Sequence, residues 1–154
     1  MHPSIFISYR RSNSKWAAKL IHDTLAQVFT QEKVLKDQYS IDPDRLKESE
    51  VQKQVAAADV VLVVMGPEYV TLTNPFGQPQ LWVEGDYAAL EVQKGFALDK
   101  VVVPVLLDHR PMPEAEDLPP GIRKLVESRS FKLSVEKFDK DMEALIHYLK
   151  KLSS

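Results

Sequence analysis

Asp86-Tyr87-Ala88-Ala89-Leu90-Glu91-Val92, continued by Gln93 to Lys100 and then by Val101-Val102-Val103-Pro104-Val105-Leu106-Leu107, reads as a helix that carries one acid, Glu91, through a turn into a buried strand. The strand is Val and Leu throughout except Pro104. It is too short to span a membrane and suits a strand covered by helices on both faces. Asp59-Val60-Val61-Leu62-Val63-Val64-Met65 is a second such strand, stopped by Gly66-Pro67. Two wholly apolar strands separated by helical segments imply parallel pairing, because a parallel connection needs a long crossover.

Outward from these, Ile5-Phe6-Ile7-Ser8 is a short β-branched and aromatic strand that runs into the polar stretch Tyr9-Arg10-Arg11-Ser12-Asn13-Ser14. Trp16, Leu20, Ile21, Leu25, Val28 and Phe29 then recur at helical spacing, with Lys15, Lys19, Asp23 and Gln27 opposite them. Val34-Leu35 is a weak strand, Lys36 to Arg45 a polar loop and Glu48 to Ala57 a short helix. Asn74 to Gln80 is rich in turn residues and is expected to be a mobile flap. Arg110 to Gly121 is a proline-rich surface loop, Ile122 to Glu127 a brief helix and Ser130 to Leu133 an edge strand. Phe138, Met142, Leu145, Leu149 and Leu152 mark a closing amphipathic helix. The fold class expected is α/β: a flavodoxin-like, doubly wound, parallel sheet of about five strands with helices on both faces, and residues 1–154 as a single domain.

Composition excludes several chemistries. With 44% hydrophobic and 27% charged residues and a net charge of -2, the chain has the profile of a soluble globular domain and no electrostatic reason to bind nucleic acid. It has no cysteine, which removes disulfides, thiolate metal sites and cysteine nucleophiles and is compatible with a reducing, cytoplasmic setting. No apolar run approaches the roughly 20 residues of a membrane span, and the start has no signal-peptide pattern. The four histidines, His2, His22, His109 and His147, lack ligand spacing, so no metal and no bound cofactor is expected. A phospho-acceptor receiver would need an aspartate where Met65-Gly66-Pro67 ends its strand. A dinucleotide-binding turn would need glycines in Tyr9 to Ser14, and a serine hydrolase a Gly-x-Ser-x-Gly elbow.

Five segments in order resemble bacterial Toll/interleukin-receptor (TIR) domains. Ile5 to Ser12 is similar to their Phe-Ile-Ser-Tyr-Arg-Arg strand and loop. Val34 to Pro43 is similar to their second strand and following loop, with Asp37, Ile41 and Pro43 at family positions and Asp44 in place of a glycine. Asp59 to Pro67 resembles their third strand. Asp86 to Val92 resembles their Asp-Trp-Val-Arg-x-Glu-Ile helix, with Tyr87 at the Trp position, Ala89 at the Arg position and Glu91 at the glutamate. Asp108 to Pro119 fits bacterial members as well. A second registration takes Trp82-Val83 as the Trp-Val pair and puts Asp86 at the glutamate. The first register also matches the Asp before the aromatic residue and the aliphatic residue after the acid, and it keeps the distance to Val101.

The resemblance implies either of two functions. Many TIR domains cleave the nicotinamide–ribose bond of NAD+, giving nicotinamide with ADP-ribose or a cyclic product; others only assemble with further TIR domains. It implies Glu91 as the catalytic carboxylate, Tyr9, Arg10, Arg11, Asp37 and Tyr87 as substrate-binding residues, and Ile41, Pro43 and Asp44 as an interaction loop. The partners implied are NAD+ as substrate, other TIR domains in a homo-oligomer and a fused or separate sensor domain, in bacterial immune signalling or antiphage defence, without nucleic acid or membrane. The chemistry suits one carboxylate. Nicotinamide leaves NAD+ as a neutral molecule, positive charge develops on the ribose, and an acid held against that sugar stabilises it.

Overall fold

The computed structural model describes residues 2–36 and 48–152. Five parallel strands form one sheet in the order β2-β1-β3-β4-β5. They are β1 (Ile5–Ser8), β2 (Val34–Lys36), β3 (Val60–Met65), β4 (Val101–Leu107) and β5 (Phe131–Leu133). The α-helices among the described residues are α1 (Arg11–Phe29), α2 (Glu48–Ala56), α3 (Tyr87–Ala97) and α4 (Phe138–Lys151). β1, β3 and β4 run in tight register, Ile5 against Val60 and Val60 against Val101. This is the flavodoxin-like arrangement expected.

The strand period of two divides the core. Ile5, Ile7, Leu62, Val64, Val103 and Val105 point to the α1 and α4 side. Phe6, Val61, Val63, Met65, Val102 and Leu106 point to the α2 and α3 side. The order in which strands are added reverses between β1 and β3, and doubly wound folds bind ligands beyond the carboxyl ends of strands at that point. Ser8, on the Phe6 face of β1, opens toward α3 there.

Two glycines let helices approach the sheet. A Cβ on Gly66 would meet Ser14 Oγ at 2.2 Å and Leu107 Cδ1 at 3.2 Å, so α1 docks against the end of β3 only because position 66 is bare. A Cβ on Gly95 would lie 3.2 Å from both Val61 and Val102 side chains, which sets how closely α3 lies on β3 and β4.

Three expectations change. Trp16 and Leu20 are not core: they are 46% and 45% exposed, and the buried face of α1 is Ser14, Ala17, Ala18, Ile21, Leu25 and Phe29. Small residues let α1 press onto the sheet, and the larger side chains one position round are left outside. Ser14 sits at a kink in α1, with φ −129° and ψ 15°. Second, Asn74 to Gln80 is a turn closed by hydrogen bonds, not a free flap: Asn74 Oδ1 accepts from the backbone N–H of Phe76 and of Gln78, both at 2.9 Å, and Asn74 Nδ2 donates to Gln78 Oε1. Gly77 takes the positive φ this turn needs, +79°. Third, Leu152 lies past the end of α4 and is 37% exposed. The loop expected at Lys36 to Arg45 lies outside the described residues from position 37 onward.

Replacing Gly66 by Ala is expected to destabilise the fold by about 1–3 kcal/mol through overpacking. Urea unfolding of Gly66→Ala and of the Ser14→Ala, Gly66→Ala double variant checks this, the second recovering part of the loss because it removes the atom that Cβ strikes.

Candidate functional site

Asp86 closes the turn before α3. As the helix N-cap it accepts from the Ala89 N–H at 3.1 Å, satisfying one of the free donors of the first turn. Its two oxygens also take both terminal nitrogens of Arg10, Oδ1 from Nη1 at 2.6 Å and Oδ2 from Nη2 at 3.0 Å, and Oδ1 accepts from Gln80 Nε2 at 2.9 Å. Both partners of the ion pair are buried. A carboxylate offers about four acceptor positions, and these bonds fill them. Burial by itself would lower the Arg10 pKa. The hydrogen bond and charge of Asp86 outweigh it, so the net shift is upward and Arg10 stays a cation.

Tyr87 completes the clamp. The Arg10 guanidinium lies 5.5 Å from the centre of its ring, and its hydroxyl accepts from the Arg11 N–H at 3.1 Å. The end of β1 is thus fastened to the start of α3 by a charge pair, a cation–π contact and a main-chain hydrogen bond.

One turn on, Glu91 points into the sheet. Its exposure is 0%, and its Oε1 accepts from Ser8 Oγ at 2.7 Å. A carboxylate out of water at the carboxyl end of β1 is costly unless hydrogen-bonded. Such a placement is also common where an acid works on a substrate. Buried Tyr69 packs in the same core cluster as Phe6 and Met65, on this side of the sheet, and feels the charges of Arg10, Asp86 and Glu91. Burial, the largest influence, pushes its hydroxyl up out of the usual phenol range; Arg10 pulls the other way and the two acids add to the rise.

The structure gathers Arg10, Tyr87 and Glu91 at this junction. Arg10 arrives with its charge already matched by Asp86. Tyr9 is buried among the side chains beneath α1 and α4, on the other face of the sheet from Glu91. Arg11 borders a shallow surface groove with Ser12, Lys15, Trp16 and Lys19. Asp37, Ile41, Pro43 and Asp44 lie outside the described residues. Three contributors were missed in the sequence: Ser8, Gln80 and Tyr69. Alternation along β1 puts Ser8 on the Phe6 face and was a usable signal; Gln80 opens a single 3-10 turn and Tyr69 sits in a turn, and neither gives one.

Two hollows flank the junction. One of about 310 Å³ lies at the ends of β3 and β4, lined by Met65, Gly66, Tyr69, Leu106 and Arg110. The other, about 410 Å³, lies outside α3 against Glu48, Trp82, Asp86, Ala89, Leu90 and Gln93. Ala89 stands where the family pattern has arginine, and its small side chain leaves that hollow open. Among the described residues no cluster of three or more His, Cys, Asp or Glu is arranged to hold a metal, and no helix is long and apolar enough to cross a membrane.

Residues 5–146 match the TIR domain family profile. The chain belongs to the TIR domain family. No curated protein matches it in sequence. Among solved structures it is similar to the TIR domains of the activated Roq1 resistosome recognising the effector XopQ, at TM-score 0.61 and 13% identity over 96% of this chain and 98% of that one. It is similar to a prokaryotic SEFIR domain at TM-score 0.56 and 19% identity, covering 93% and 95%. It also resembles a metazoan TIR-STING receptor from C. gigas in complex with 2',3'-cGAMP, at TM-score 0.54 and 19% identity over 92% of this chain; it spans only 39% of that receptor. At such identities the likeness speaks for the fold.

Asp86→Ala is expected to lower stability by about 3–5 kcal/mol, because it strands the buried Arg10 cation. Glu91→Gln, which keeps an acceptor for Ser8, is expected to change it by less than about 1 kcal/mol. Chemical denaturation of both variants checks the contrast.

Proposed function

We propose that this TIR domain cleaves the nicotinamide–ribose bond of NAD+, with Glu91 as the carboxylate that stabilises the ribose. The observation that carries the reading is a single acid, held by Ser8 at 2.7 Å, at the β1/β3 reversal where doubly wound folds bind ligands. Membership of the family supports it. Asp86 is the weaker candidate, since its acceptor positions are taken by Arg10, Gln80 and Ala89.

The bond from C1′ to the pyridinium nitrogen breaks and its electron pair goes to nicotinamide, which leaves neutral. The ribose takes up positive charge, and the Glu91 carboxylate faces it. Water then adds at C1′ and loses a proton, giving ADP-ribose; attack by a nitrogen of the adenine ring instead gives a cyclic product. No acid is required for the leaving group, and one carboxylate serves.

Glu91 is wholly buried, so in this state it does not meet a substrate. The proposed enzyme is therefore closed as a monomer and is opened when TIR domains assemble. The same burial favours a second reading, a module that binds other TIR domains and performs no chemistry.

Nicotinamide release from NAD+ is expected from the concentrated or tethered domain, falling at least 10²-fold in Glu91→Ala, on the scale of losing one electrostatic stabiliser, and far slower per chain in a dilute monomeric sample. Equal turnover per chain at both concentrations would refute activation by assembly. Absence of release in every assembled form would leave the binding module as the function.

A further inference from the structure

Seven large apolar side chains are exposed among the described residues, and three of them, Trp16, Leu20 and Val135, rim a single groove. Leu107, Leu133 and Phe138 complete its lining, between α1, the ends of β4 and β5 and the start of α4. Arg11, Lys15 and Lys19 flank Trp16 along α1. Lys19 is ion-paired with Asp23 at 3.0 Å, the first acid in that helix. A helix start favours anions, yet α1 opens with cations and has no acid in its first turn. An apolar groove edged by cations suits an apolar anchor edged by acids.

The chain carries such an anchor on the other face of the sheet. Trp82 is 45% exposed and lines the hollow outside α3. Its ring is held in place: Nε1 donates to the Asp117 carbonyl at 3.2 Å, and the Arg123 guanidinium lies 5.9 Å from the ring centre. Glu84 lines the same hollow, and Glu114, Glu116 and Asp117 follow in the segment that holds the ring. An aromatic ring already fixed in the free protein loses little entropy on docking, and tryptophan is among the side chains most enriched where interface energy concentrates.

We infer that the Trp16 groove of one copy takes the Trp82 face of a second copy, with Lys15 and Lys19 set against Glu84 and the acids from Glu114 to Asp117. The groove lies on the α1 and α4 side of the sheet and Trp82 on the α3 side. The contact is therefore head-to-tail, and it propagates into a ring or a filament instead of stopping at a two-fold dimer. Asp86 and Ala89 also line the hollow beside Trp82, so the incoming copy seats against the helix that carries Glu91. As the assembly step of the proposed glycohydrolase this rests on that reading; as a contact it is tested without NAD+.

The test uses the full chain in two charge-reversed forms, Lys15→Glu with Lys19→Glu and Glu84→Lys with Asp117→Lys, and in the apolar variant Trp16→Ala, all at exposed positions. Sedimentation velocity over a concentration series reads the mass, and thermal melting reads the fold. Each variant is expected to need at least about 10-fold more protein to reach the association of the wild type, the scale of losing one interface anchor or its steering charges. The wild type is expected to dissociate as salt rises. An equimolar mixture of the two charge-reversed forms is expected to regain wild-type association, because each reversed face then meets its complement. Nicotinamide release from NAD+ is expected to follow, lost in each form and regained in the mixture. Undiminished association of any of the three variants would overturn the contact. So would a mixture that stays dissociated while both parts melt like the wild type, which is how a face that pairs with itself behaves. If a charge-reversed form unfolds, Trp16→Ala and the salt series decide. A wild type that is monomeric at every concentration would overturn the contact too and leave the Trp16 groove to an acidic partner of another kind. Association that follows the expected pattern with no nicotinamide release would uphold the contact and remove the glycohydrolase.

Discussion

The ion pair between Arg10 and Asp86 is the constraint on which this architecture turns. It joins residues 76 positions apart, the segment leaving β1 and the cap of α3, and it does so out of water. Two charges brought into the interior are tolerable only with good geometry and with their remaining hydrogen-bonding capacity used. Asp86 meets that condition through Gln80 and Ala89, whereas Nε of Arg10 has no hydrogen-bond partner among the described residues. Because Asp86 is also the helix cap, the position of α3 and the position of the β1 loop are one variable. Glu91 rides on that helix, so its register against Ser8 follows from a bond made one turn earlier.

This arrangement separates two acids that the sequence alone leaves as rivals. Asp86 and Glu91 stand five positions apart on one helix, and both are buried. One is saturated by a cation, an amide and a main-chain donor; the other faces the end of β1, where doubly wound folds open to ligands. The two carboxylates thus differ in what surrounds them, although they stand close together along the chain.

Much of the fold was legible because buried parallel strands are nearly pure Val, Leu and Ile, and β3 and β4 are so here. The helix of Glu91 was legible from its order relative to β4. The face of α1 was misread because positions 16 and 20 fit a helical stripe as well as 17, 18 and 21 do, and size favoured the wrong set; the sheet selects alanines where the backbone must come close. Asn74 to Gln80 was misread because turn residues signal a change of direction, while the order of the turn depends on where the Asn74 side chain points. Tyr69 and Gln80 were invisible because they sit in a turn and in a single 3-10 turn, too short for a period to locate a side chain. The positions at 37–44 rest on the family pattern alone.

The edges of the sheet carry one more consequence. β5 is three residues long, and its middle residue, Lys132, is exposed between the buried Phe131 and Leu133. A strand so short, with a charge on its open face, is a poor template for another strand, and continuation of the sheet from one molecule into the next is disfavoured on that side. Contacts made on that side run through side chains on helices and loops, which can part again without tearing a hydrogen-bonded ladder.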